Sequence, residues 1–170
     1  MEALFSRSIG LPIVDQHSHL VVGRLSDIII DTETGKIIAF ALLRGQIVVP
    51  LDIIEWRPDH LVISDMDHIV HADDVVRVQA VLQRHIPVFA NRVVTEADEY
   101  IGRVVDMVFN TKTFELKNLF VAKLFLIFKY DHRIISVKNI IEIKKEKIIV
   151  KDILGKEKDK AKVPSLIGAS

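Results

Sequence analysis

Hydrophobic residues in this chain come in short runs, many of them β-branched, and polar or turn-forming residues interrupt them every few positions. Val- and Ile-rich runs with that punctuation read as strands. The first half predicts strands near 12–15, 20–31, 36–43, 46–49, 53–57 and 60–64. The second half predicts them near 91–95, 101–110, 115–121, 124–130, 133–137, 139–143 and 147–151. One stretch has helical period instead. From Asp74 to His85, Val75, Val78 and Leu82 share a stripe, with Asp73 placed to cap the N-terminus. Arg84 and His85 close the segment and Pro87 stops it, which suits the helix dipole.

The pattern also repeats. "VVGRLSDIIIDTETGKI" from Val21 aligns with "YIGRVVDMVFNTKTFEL" from Tyr100, and "DIIEWRPDHLVISD" (52–65) aligns with "NIIEIKKEKIIVKD" (139–152). The offset grows from 79 to 87 residues between the two matches, so the second copy holds eight additional residues. Two units of ~80 residues each account for nearly the whole chain. Gly23 matches Gly102, Asp27 matches Asp106, and the turn Asp31–Lys36 matches the turn from Asn110. Gly35 suits a left-handed turn position. Phe114 occupies its place in the second copy, and a bulky residue disfavours positive φ. A differently shaped turn is expected there.

These motifs resemble the PRC-barrel family, in tandem. The residues that carry the resemblance are the two stretches above together with "VVPLDIIEW" and "ISVKNIIEI", spanning roughly residues 5–152. The resemblance implies a mainly β protein of two small barrels joined by a short linker helix. It places a first barrel at 1–70, a linker with helix at 71–88, a second barrel at 89–154 and a lysine-rich tail at 155–170. Barrels of this family occur in the cytoplasmic part of the H subunit of purple-bacterial reaction centres, in a bacterial ribosome-maturation factor and in small stand-alone proteins. They work by docking, so the resemblance implies a protein-interaction module without catalysis.

Composition narrows the chemistry. Cysteine is absent, which removes thiol catalysis, disulfides and thiolate metal sites. The N-terminus carries no secretory pattern, and no apolar run approaches the ~20 residues of a membrane helix, so a cytoplasmic protein is expected. Net charge is zero but uneven. Residues 1–90 hold 7 Lys/Arg against 12 Asp/Glu, and residues 91–170 hold 16 against 11. The lysine-rich tail accounts for much of the second imbalance.

Candidate sites follow from side-chain chemistry. His17 and His19 follow a strand, as in metal-dependent amidohydrolases, and His68 and His71 have helical ligand spacing. The chain has no room for the large α/β barrel that such hydrolases need, so a metal hydrolase ranks third among functions and no cofactor is expected. Asp27 and Asp106 recur once per copy, which favours a turn-bonding role over a catalytic pair. No phosphate-binding glycine pattern or nucleophile elbow is present. "LFVAKLFLIFKYDHR" (119–133) is apolar on both alternating faces, making Phe120, Phe125 and Phe128 candidates for contact with a protein partner or a second copy. The tail mixes its lysines with acids and has no aromatic to stack on bases, so RNA or ribosome association is the alternative reading.

Overall fold

The computed structural model describes residues 1–125 and 129–152; for 124, 125 and 129–131 it describes the backbone alone. The described residues are mainly strand. They divide into unit 1, Met1–Ile86 with Val108–Lys117, and unit 2, Pro87–Met107 with the described residues from Asn118 onward.

Unit 1 begins with β1 (Glu2–Leu4) and one helical turn, α1 (Phe5–Ser8). Then come β2 (Pro12–Asp15), β3 (Val21–Arg24), β4 (Asp27–Asp31), β5 (Lys36–Ala41), β6 (Gln46–Val48), β7 (Ile53–Trp56), β8 (Leu61–Ile63), β9 (Val70–His71) and the helix α2 (Val76–Arg84). The strands form two four-stranded sheets, β3-β2-β8-β7 and β4-β5-β6-β9. In β4 and β5 almost every side chain is buried, as expected of strands covered on both faces. One cover is α2: Val78 packs with Ile29, Ile38, Ala39 and Ile47, and Val75 and Val81 join the edge of that cluster. Burying Val78 contributes about 2 kcal/mol relative to leaving it in water.

The helix differs from its sequence pattern. Asp73 lies in a 3-10 turn, Ala72–Asp74, and extended Val75 takes the N-cap position without a side-chain cap. Leu82 is 43% exposed, and Val81 packs instead. Charge ties α2 to the β4–β5 turn, because Arg77 donates to Asp31 at 3.2 Å and Arg84 pairs with Glu33 at 2.8 Å.

Unit 2 contains β10 (Arg92–Thr95), β11 (Tyr100–Asn110), β12 (Leu116–Phe125), β13 (Lys129–Ser136), β14 (Ile140–Ile143) and β15 (Ile148–Val150), in the order β13-β12-β11-β10-β15-β14. The last residues of β11 belong to unit 1, where Val108–Asn110 pair with β1. The sheet of unit 2 repeats the first sheet of unit 1. β2 runs parallel to β8 as Ile13↔Leu61 and Val14↔Val62, and β10 runs parallel to β15 as Val93↔Ile148 and Val94↔Ile149. Register slips fall at equivalent places, after Ile13 and Val93, and again after Ile53 and Ile140. Register shifts at matching positions give the two stretches the same pattern of backbone pairing.

Four expectations need correction. The sheets formed by the described residues do not close into barrels. In unit 1 the predicted strand 20–31 breaks at Leu25–Ser26, where Leu25 is buried and the Ser26 amide donates to Ala41 O at 2.8 Å. That break separates β3 from β4, and with them the two sheets. Next, the predicted strands 115–121, 124–130 and 133–137 are two strands of one hairpin. β12 and β13 pair without interruption from Asn118↔Ser136 to Phe125↔Lys129. The sequence of residues 116–136 holds no glycine or proline, so alternation alone could not divide it into two strands. Last, Phe114 adopts the left-handed geometry of Gly35, with φ 53 against 70. Both amides close the same turn, Gly35 N onto Asp31 O at 2.8 Å and Phe114 N onto Asn110 O at 2.9 Å. Side-chain packing outweighs the local strain. The Phe114 ring meets Phe40 edge-on at 5.4 Å and lies 6.5 Å from Trp56, which also contacts Phe109 at 5.2 Å.

Candidate functional site

The four candidate histidines, His17, His19, His68 and His71, all belong to unit 1. His17 and His19 lie exposed in the β2–β3 loop, and His19 is left-handed with φ 58. His71 lies on β9 opposite Gln46. His68 is half exposed, with Nδ1 2.9 Å from both Asp52 Oδ1 and Ser64 Oγ. Among the described residues no group of three or more His, Cys, Asp or Glu is arranged to hold a metal ion.

The β2–β3 loop is shaped by Asp15, which precedes the His17–His19 motif and to which the sequence assigned no loop-bonding role. Asp15 is buried at the end of β2. Its Oδ2 accepts from Ser18 N and Ser18 Oγ, each at 2.7 Å, and its Oδ1 accepts from Met66 N at 2.9 Å. The Ser18 amide and hydroxyl, followed by the Met66 amide, hold its carboxyl below the usual aspartate range, against the effect of burial. The legible signal was the Asp-x-x-Ser spacing, which favours local side-chain-to-backbone bonding. Asp31 is similar: burial pushes its carboxyl up, but the Glu33 amide and Arg77 bring it below the ordinary value.

Asp27 opens β4 in unit 1, and Asp106 lies on β11 in unit 2. Each accepts a bond from the amide that follows it, Ile28 N and Met107 N respectively, both at 2.8 Å. Bonds to the following amide are the local side-chain-to-backbone pattern of a strand aspartate. The arginines beside the matched glycines do reach a turn. Arg24 Nη1 donates to Gly10 O and Arg103 Nη1 donates to Ala90 O, each at 3.0 Å. Both receiving residues have positive φ, 89 and 62. The repeated Gly-Arg pair signalled this role, which the sequence reading did not assign.

Gly23 and Gly102 are places of close approach. A Cβ on Gly102 would lie 2.5 Å from Ala122 O, and one on Gly23 would overlap the Leu42 side chain. Gly102 admits a neighbouring backbone that a larger residue would displace, whereas Gly23 faces the movable end of Leu42.

The proposed contact ribbon is partly observable. Phe120 is half-buried on β12 and pairs with Ile134 on β13, which is 40% exposed. Ala122 and His132 form the cross-strand pair two residues further along the same face. Leu119, Val121 and Ile135, on the opposite face, are buried. The face bearing Phe120 is therefore the outward one. Phe128 lies outside the described residues, as does the tail 155–170, and the Phe125 side chain is not described.

No helix among the described residues is long and apolar enough to cross a membrane. No curated protein matches the chain. Residues 88–156, less than half of the chain, match the model of the PRC-barrel domain family, and this second half is thereby similar to that family.

Proposed function

We propose that the chain is a non-catalytic, cytoplasmic docking module made of two PRC-like repeats, and that it binds another protein or its own copy. The match of residues 88–156 supports the second repeat. Equivalent pairing and equivalent register shifts in residues 12–63 support the first. Local roles for the conspicuous carboxylates support a scaffold reading, since Asp15, Asp27 and Asp106 bond to nearby backbone. The observation that carries the docking role is the outward Phe120–Ile134 pair on the hairpin that the second repeat lengthens. Apolar cross-strand pairs of this kind are typical centres of protein contacts.

The test is sedimentation velocity and quantitative pull-down with the full chain and with a Phe120→Ser/Ile134→Ser double variant. The variant should lose self-association or partner capture while circular dichroism stays unchanged. A monomeric parent chain, with the double variant capturing the same proteins equally well, would refute the reading. Salt-dependent binding of ribosomal RNA, lost on removing residues 156–170, would replace it with the RNA-associated alternative.

A further inference from the structure

Within unit 1, two turns from different repeats bond to each other. Ile37 N donates to Phe114 O at 2.8 Å, and Leu116 N donates to Gly35 O at 2.9 Å, flanking a bridge between Lys36 and Glu115. The repeat alignment makes Gly35 the equivalent of Phe114, Lys36 of Glu115, and Ile37 of Leu116. The two bonds are thus one bond made twice, each turn both giving and receiving it. The turns also match internally. Asp31 Oδ1 accepts from Glu33 N at 3.1 Å, and Asn110 Oδ1 accepts from Lys112 N at 2.8 Å.

A contact in which the same element appears on both sides, with residue i meeting j and j meeting i, is the pattern of a two-fold interface between identical subunits. We infer that this turn-to-turn contact inside unit 1 is an exchangeable, self-complementary junction, and that the kind of partner its surface fits is the equivalent hairpin of another copy.

Neighbouring packing gives the interface its substance. Phe109 and Phe114 from the second repeat meet Phe40 and Trp56 from the first. β1 lines the same segment through Glu2↔Asn110, Ala3↔Phe109 and Leu4↔Val108, and both the amide and the hydroxyl of Thr111 donate to Met1 O. Residues 1–86 thus offer the β1 edge and the Phe40 and Trp56 rings to the segment Val108–Lys117. Aromatic anchors with main-chain pairing are a recurrent mode of strand-mediated recognition. None of these residues belongs to the Phe120–Ile134 face, so the inference stands apart from the proposed docking role.

The experiment starts from the full chain with a site-specific protease sequence inserted between Ile86 and Pro87. The protein is folded intact, cut, and examined by native mass spectrometry. The two fragments should remain a one-to-one complex. A tagged amino-terminal fragment mixed with an untagged cut protein should exchange partners and carry untagged carboxy-terminal fragment. Phe114→Asp should weaken the complex at least tenfold, and Ile134→Asp should leave it unchanged. Should Phe114→Asp prevent folding, Phe114→Gly retains the turn without the ring and should still weaken the complex measurably. Fragments that separate on cutting the parent chain, that never exchange between copies, or that bind equally well with either Phe114 variant would overturn the inference.

Discussion

Phe114 should break a familiar rule of strand-region substitution, in which alanine is better tolerated than glycine. Its ring is half-buried against Phe40 and Trp56, and its backbone is left-handed with φ 53. Phe114→Ala removes the ring and keeps the unfavourable backbone. Complete truncation of a core phenylalanine costs about 3–5 kcal/mol, and half-burial brings the expected loss to about 2 kcal/mol. Phe114→Gly loses the same ring but also releases left-handed strain of about 1–2 kcal/mol. Part of that gain is offset by the greater freedom of glycine in the unfolded chain, about 0.5–1 kcal/mol. The glycine variant should therefore be less damaging than the alanine variant by about 0.5–1 kcal/mol, equivalent to a melting temperature about 1–4 °C higher for a chain of this size. Trp56 is the only tryptophan and lies in the affected cluster, so denaturant titration followed by its fluorescence reads the site directly. An alanine variant as stable as the glycine variant would show that position 114 is not held left-handed, and the packing argument would fail.

Other predictions follow from the same contacts. Ala90 holds the positive φ that Gly10 holds in the first repeat, so Ala90→Gly should be neutral or raise stability by up to about 1 kcal/mol, despite glycine's usual penalty; a clear loss in chemical denaturation would contradict this. Gly102→Ala forces a methyl group onto the Ala122 carbonyl at positive φ and should cost about 2–3 kcal/mol. Gly23→Ala meets the movable end of Leu42 and should cost less; the order of the two melting temperatures checks the assignment. Asp15 has a folded pKa below its ordinary value, so its stabilising contribution is present above about pH 4 and declines as pH falls through the lower folded value. Asp15→Asn should melt lower at neutral pH and lose less stability on acidification; parallel pH profiles for the two proteins would remove Asp15 from this role.

The sequence made some features legible and concealed others for physical reasons. Strand positions were readable wherever β-branched runs met turn residues, as at Pro12–Asp15 and Ile53–Trp56. The likeness between the two halves was readable because each Gly-Arg pair places its arginine on an equivalent carbonyl, Gly10 O and Ala90 O. The division between β12 and β13 was not, since the sequence of residues 116–136 holds no glycine or proline. Nor was the onset of α2, where a 3-10 turn absorbs the acidic residues that would otherwise cap the helix. Phe114 escaped local reasoning because its conformation is set by rings distant in sequence. Closure of the sheets depends on breaks such as Leu25–Ser26 that hydrophobic patterning does not encode. At the candidate site, Phe120 was visible as part of an apolar ribbon, whereas Ile134 emerged only once its pairing was known. Arg24 and Arg103 stood in the repeated motif, but their role required knowing which carbonyls the neighbouring turns expose.

The account depends most on one strand arrangement being present twice. Backbone nuclear Overhauser contacts in the labelled full chain address it directly. The prediction is parallel-strand contacts around Ile13–Leu61 and Val93–Ile148, with antiparallel contacts at Ile13–Gly23 and Val93–Gly102. Finding the set around Val93 without its counterpart around Ile13 would contradict the account.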